Sequence, residues 1–167
     1  MLTAVQVREL LKLTPLPTEG GYFAETYKSE LLVPGDALPA PFGGPRSLAT
    51  AIFYMLTPDT FSAMHRLRAD ELYHFYLGDP VELLELRQDG SAGTVTFGQE
   101  IAAGMRLQHL VRAGVWQGLR LIEGGQWALL GTTVSPGFEF ADFELGERGY
   151  LQSLSPQHSR AIAALTR

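Results

Sequence analysis

The spacing of apolar positions changes twice along the chain, from helical to alternating and back to helical. Between Ala4 and Leu13, the side chains of Val7, Leu10 and Leu11 share one helical face. Thr3 and Gln6 supply a capping box at its start, and Pro15 and Pro17 end it. Gly20-Gly21 then marks a bend or bulge into an alternating segment, Tyr22 to Tyr27. From Leu32 to Pro45 prolines and glycines crowd together, predicting a long loop that covers a pocket or moves. Strands follow in close succession: Ala49 to Leu56, two strands bent around the polar turn Arg66 to Asp70 within Phe61 to Gly78, and Val81 to Arg87. The series continues with Gly93 to Gly98, Gln108 to Arg112, Val115 to Ile122, Gln126 to Val134 and Phe138 to Leu145. Ser155-Pro156 opens a last helix carrying Ala161, Ile162 and Leu165. Short strands punctuated by glycine predict an all-β, antiparallel sandwich or barrel with a helix at each end, a single domain over residues 1–167.

Composition narrows the classes of partner. The net charge of −5, with thirteen scattered Lys and Arg, argues against tracking a phosphate backbone, so no nucleic acid partner is expected. No apolar run is long enough to span a bilayer and no signal pattern opens the chain, so no membrane partner is expected either. Cysteine is absent, which removes disulfides and thiolate chemistry and fits a cytoplasmic location.

The candidate chemistry gathers in Phe61 to Gly78, where His65, Glu71 and His74 sit in an apolar frame. Successive strand residues face opposite sides. An inward His65 therefore brings Leu67 inward, and an inward Glu71 brings Tyr73 and Phe75 while turning Leu72, His74 and Tyr76 outward. An inward Gln117 brings Val115, Leu119 and Leu121, and a facing strand offers Trp127 and Leu129 or their odd-parity neighbours. The result is a mostly apolar small-molecule pocket holding one imidazole, one carboxylate and one amide. Burying Glu71 is costly without a partner, the alternative being a structural ion pair with Arg66 or Arg68. His109 and His158 fit no pattern and read as surface residues. The apolar outer face around His74 and the Ala49 to Leu56 strand predict a homodimer.

Three segments carry a resemblance. His65, Leu67, Glu71 and Gly78 stand at the spacing of the first cupin motif, with Leu67 in place of a second His. Arg112-Ala113-Gly114-Val115-Trp116-Gln117 is similar to the second motif, with Arg112 for Pro and Gln117 for His. Glu19-Gly20-Gly21-Tyr22-Phe23-Ala24-Glu25-Thr26, taken with Glu71 to Tyr76, resembles the cupin group called domain of unknown function 985. The resemblance covers roughly Val5 to Leu154 and implies a double-stranded β-helix, the jelly-roll barrel. Transition-metal cupins present three His and one Glu. Here only His65, Glu71 and Gln117 occupy ligand positions, an amide is a weak ligand and Leu67 is none, so no metal or other cofactor is expected.

Three functions compete. A metal-independent isomerase or epimerase would use His65 as general base, Glu71 as its orienting partner and Tyr73 or Tyr22 as proton donor. Its ligand would be small, polar and sugar-like or carbonyl-bearing, lined further by Leu67, His74, Gln117 and Trp127. A binding or sensing module would hold the same ligand without turnover. A metal-dependent oxygenase or lyase would need a divalent ion on His65, Glu71 and Gln117.

Overall fold

Alternating strands need an apolar partner for their inner face, and here two sheets supply it for each other. The computed structural model describes residues 2–167, the Pro41 side chain aside. Its elements in chain order are α1 (Ala4–Leu10), β1 (Thr14–Pro15), β2 (Tyr22–Lys28), β3 (Leu32–Val33), β4 (Arg46–Ser47), β5 (Thr50–Leu56), β6 (Ser62–Leu67) and β7 (Asp70–Gly78). There follow β8 (Val81–Leu86), β9 (Ala92–Phe97), β10 (Gln108–Val111), β11 (Trp116–Leu121), β12 (Ala128–Ser135), β13 (Phe143–Leu145), α2 (Arg148–Leu154) and α3 (Ser159–Ala164). A six-stranded antiparallel sheet runs β1-β2-β5-β12-β7-β10 and faces a five-stranded one, β13-β6-β11-β8-β9. Strands far apart in sequence are neighbours, β5 beside β12 and β6 beside β11. The fold is an all-β jelly-roll barrel with short helices near both ends.

The inner faces meet over Tyr54, Leu56, Tyr73, Phe75, Leu83, Phe97, Leu119 and Leu130. Each such side chain contributes about 1.5–3 kcal/mol by leaving water. The helices cover outer faces. Val7 and Leu13 pack on Met55 and Leu129 of the larger sheet, while Leu151, Ile162 and Leu165 pack on Met64, Leu84, Leu86 and Trp116 of the smaller one. Among the described residues no helix is long and apolar enough to cross a membrane.

Several local expectations are corrected. The capping box of α1 forms as read, but the helix stops at Leu10, because Lys12 takes a left-handed φ of 54° before either proline is reached. The stretch from Leu32 to Pro45 is not a bare loop. The β3–β4 ribbon closes it, two 3₁₀ turns fill it, and Phe42 is buried against Leu67, Ala69 and Val134. The strand expected from Phe138 is confined to β13, a 3₁₀ turn over Phe140–Asp142 preceding it. Helix α2 was not foreseen; the Glu147 carboxylate caps it by accepting from the Gly149 and Tyr150 amides at 2.9 and 2.6 Å. Ser155 and Pro156 open the last helical stretch as read, but as a 3₁₀ turn over Pro156–His158 that leads into α3 at Ser159, and the Ser155 hydroxyl donates to the Gly90 carbonyl rather than capping it.

Candidate functional site

The site is made by a change of sheet. β6 belongs to the five-stranded sheet and β7 to the six-stranded one, so Arg68 and Ala69 carry the chain from one layer to the other. His65 and Glu71, six residues apart, therefore face each other across the barrel rather than lying side by side. Gln117 stands opposite His65 in register on β11 and joins them from the smaller sheet. The strand parity read from the sequence holds at all three positions, with Leu67, Tyr73, Phe75 and Leu119 buried beside them.

His65 is 2% exposed and Glu71 7%. The His65 Nδ1 lies 2.8 Å from the Ala63 carbonyl oxygen, which only accepts, so Nδ1 carries the proton and donates it there. Nε2 is then the free nitrogen, 4.0 Å from Glu71 Oε2. The ring is stacked on Phe143, with centroids 5.1 Å apart. Glu71 Oε2 accepts from Gln117 Nε2 at 2.7 Å and, at 3.4 Å, from the Tyr73 hydroxyl. Burial pushes the Glu71 carboxyl above its ordinary range, and the Glu19 charge adds to this; His65, Thr132 and Gln117 pull the other way and lose. Tyr73 is pushed well up, first by burial and then by the Glu71 charge. Of the two arginines read as alternative partners of Glu71, Arg66 binds Glu144 and Arg68 lies 3.6 Å from Asp142.

A cavity of about 120 Å³ opens onto this pair. His65, Leu67, Glu71 and Thr132 line it together with Glu19, Glu25, Phe23, Phe138, Phe140 and Phe143. At roughly 10–15 Å³ per water, it holds a ligand of about ten non-hydrogen atoms or fewer.

Not every residue read as part of the site is brought to it. Gln117 and Tyr73 stand behind Glu71 and support it rather than line the cavity. Tyr22 and Trp127 are on the outside beneath α1, with Arg8 over the Tyr22 ring at 3.8 Å and the Trp127 indole donating to the Leu2 carbonyl. The register of β12 turns Ala128 and Leu130 inward instead. His74 is also outside: Gln108 Nε2 donates to its Nδ1 at 2.9 Å, its Nε2 faces the Thr133 hydroxyl at 3.1 Å, and burial lowers its pKa.

Other residues went unread. Glu19 reaches the cavity because Gly20 and Gly21 follow it at φ of 107° and 71°, left-handed backbone that turns the chain sharply into β2. The Ser62 hydroxyl donates to Glu19 at 2.6 Å. The sequence signal was present in the quoted Glu-Gly-Gly segment, but nothing local said where its carboxylate points. His109, expected at the surface, is half-buried, its Nε2 2.7 Å from Glu85 Oε1. His158, also expected there, is half-buried with its Nδ1 3.0 Å from Ser155 Oγ.

Two opposed antiparallel sheets around an apolar core, with a polar cluster at one position of the lumen, define a cupin-type barrel. The chain belongs to the Cupin superfamily (DUF985), whose family model matches residues 6–146. Gly78, the motif glycine, has φ 98°, and a Cβ there would run into the Trp127 carbonyl where β7 ends against β12. Protein SO0799 from Shewanella oneidensis, known from its X-ray crystal structure, is 33% identical with a TM-score of 0.87, the match covering 100% of this chain and 99% of that one. A hypothetical protein from Leishmania major is 29% identical with a TM-score of 0.88, covering 99% of each chain. Oxalate decarboxylase from Bacillus subtilis is alike in fold alone, at 12% identity and a TM-score of 0.53, over 92% of this chain and 37% of that one. No curated protein matches the sequence significantly.

The donor set does not fit the metal site of a three-His, one-Glu cupin. Leu67 supplies no donor, Gln117 has its amide nitrogen on Glu71, and among the described residues no three His, Cys, Asp or Glu are grouped to hold an ion.

Proposed function

We propose that the protein binds a small polar molecule in the His65–Glu71 cavity and moves a proton on it, as a metal-independent isomerase- or epimerase-like enzyme. The observation that carries this reading is the His65 ring. Its Nδ1–H is tied to a backbone carbonyl, and its free Nε2 lines the cavity beside a buried carboxylate. In the neutral ring Nε2 is a base, and proton uptake makes an imidazolium whose charge Glu71 balances at 4.0 Å. For a C–H next to a carbonyl, the bonding pair becomes the enolate double bond while the proton goes to Nε2. Return of that proton to carbon completes the exchange. Tyr73 acts through Glu71 in this scheme rather than as the proton donor expected from the sequence.

A second reading, binding without turnover, is favoured by one observation. Among the described residues no Lys, Arg or amide side chain lines the cavity to take up charge on an enolate oxygen. Native mass spectrometry of freshly purified protein, followed by incubation of the co-purified ligand in heavy water, separates the two. Turnover predicts that the wild type exchanges one carbon-bound hydrogen for deuterium and that His65→Gln does not. A ligand that binds but never exchanges leaves the binding module. We also propose that the protein is a homodimer through the outer face of the six-stranded sheet, where Tyr76 and Leu110 are 42% and 36% exposed.

A further inference from the structure

We propose that the ligand of this cavity is a small organic ammonium, a protonated primary amine on a compact apolar body. The proposal rests on the reading of the His65–Glu71 cavity as the site and narrows what enters it.

The charged lining has one sign. Glu19, Glu25 and Glu71 face the cavity, and among the described residues no Lys or Arg lines it. Arg167 stands at this corner outside the lining, donating to the carbonyls of Pro17, Thr18 and Glu19. A row of carboxylates does not by itself make a site, but the hydrogen-bond inventory points the same way independently. His65, 98% buried, turns Nε2 toward the cavity without a hydrogen-bond partner, and in the neutral ring that nitrogen only accepts. Just behind, Gln117 Oε1 is a buried acceptor that no donor reaches. Among the described lining residues the side-chain donors other than the His65 ring are the neutral hydroxyls of Thr18, Thr50 and Thr132, so what the cavity lacks is a charged donor. A carboxylate or phosphate ligand would bring more acceptors and more negative charge. An alcohol brings one donor and no charge. An ammonium brings three donors and the missing charge.

The walls suit the rest of such a molecule. Phe23, Phe138, Phe140 and Phe143 present phenyl rings, which seat an apolar body and attract a cation to their faces. The volume of about 120 Å³ admits one ring or a short chain. A ligand with its own cation also offsets charge on an enolate oxygen, for which no Lys or Arg stands among the described lining residues.

Benzylammonium, benzyl alcohol and benzoate share a ring and size and differ in charge. Each is titrated into the protein while the His65 ring signals and the unfolding midpoint are followed. Benzylammonium is expected to move the His65 signals, to raise the midpoint, and to bind at least about tenfold more tightly than benzyl alcohol, the scale of a charge-assisted hydrogen bond; benzoate is expected to do neither. Glu71→Gln is expected to weaken benzylammonium binding by about tenfold. Glu25→Gln, on the exposed rim where folding is not at stake, is expected to weaken it by a smaller factor. If benzyl alcohol or benzoate moves His65 as tightly as benzylammonium, the ammonium class is overturned and the cavity stands as the site. If none of the three moves His65, both fall together. Benzylammonium binding that both variants leave unchanged overturns the proposal as well.

Discussion

Replacing Arg46 by Met tests how the cavity wall is held. Arg46 and Asp142 are 7% and 3% exposed and meet in a bidentate pair, Nε to Oδ2 at 2.7 Å and Nη2 to Oδ1 at 2.8 Å. The same guanidinium donates to the carbonyls of Phe42 at 2.6 Å, Pro45 at 2.9 Å and Gly44 at 3.2 Å. One side chain thus ties the 40–46 segment to the turn before Phe143, the residue stacked on His65. Met keeps the apolar stem and leaves Asp142 buried with Arg68 at 3.6 Å, a half-exposed and weaker partner. Breaking a buried pair by removing one member costs about 3–5 kcal/mol. Arg68 brings the expectation to the lower end, about 3 kcal/mol, or roughly a hundredfold in the unfolding equilibrium. Urea denaturation with an unchanged slope measures it. Arg46→Met with Asp142→Leu, which removes both charges, is expected to be more stable than Arg46→Met alone. The His65 ring signals are expected to shift in the single variant as Phe143 loosens. A single variant within about 1 kcal/mol of wild type, or a double variant less stable than the single, would refute the reasoning.

Three further outcomes are expected. Glu71 has a folded pKa raised above its ordinary 4.5, so the stability it contributes at low pH is lost as pH rises through the raised value. Glu71→Gln should therefore gain on wild type as pH rises from the ordinary carboxyl value through the raised one in urea denaturation; a difference that is flat or falls with pH contradicts this. His65 holds that carboxyl down, so His65→Leu should move the Glu71 carboxyl titration, followed by carbon NMR, to higher pH still, and an unmoved titration would separate the two groups. Light scattering at micromolar concentration should report a dimer for wild type and a monomer for Tyr76→Glu with Leu110→Glu; a monomeric wild type contradicts the assigned face.

Much of the barrel was legible because strand periodicity is local. His65 with Leu67, Glu71 with Tyr73 and Gln117 with Leu119 could be put on common faces from spacing alone, since adjacent side chains must point oppositely. The capping box at Thr3 was legible for a similar reason, both its bonds lying within one turn. What the sequence left open depends on pairing between distant segments. Whether Trp127 or Ala128 faces the lumen follows from the register of β12 against β5 and β7, which one residue of slip would reverse. Alternation through Phe138 to Leu145 read as strand, yet only three residues find a partner on β6. Helix α2 buries a single residue, Leu151, too little for a helical period to stand out. The carboxylate of Glu19, the Glu85–His109 pair and the Arg46–Asp142 tie join residues as much as 96 positions apart. Periodicity assigns a side chain to a face; only the closing of two sheets over one core decides which face it meets, and so gathers Glu19, His65, Glu71 and Phe143 around one cavity.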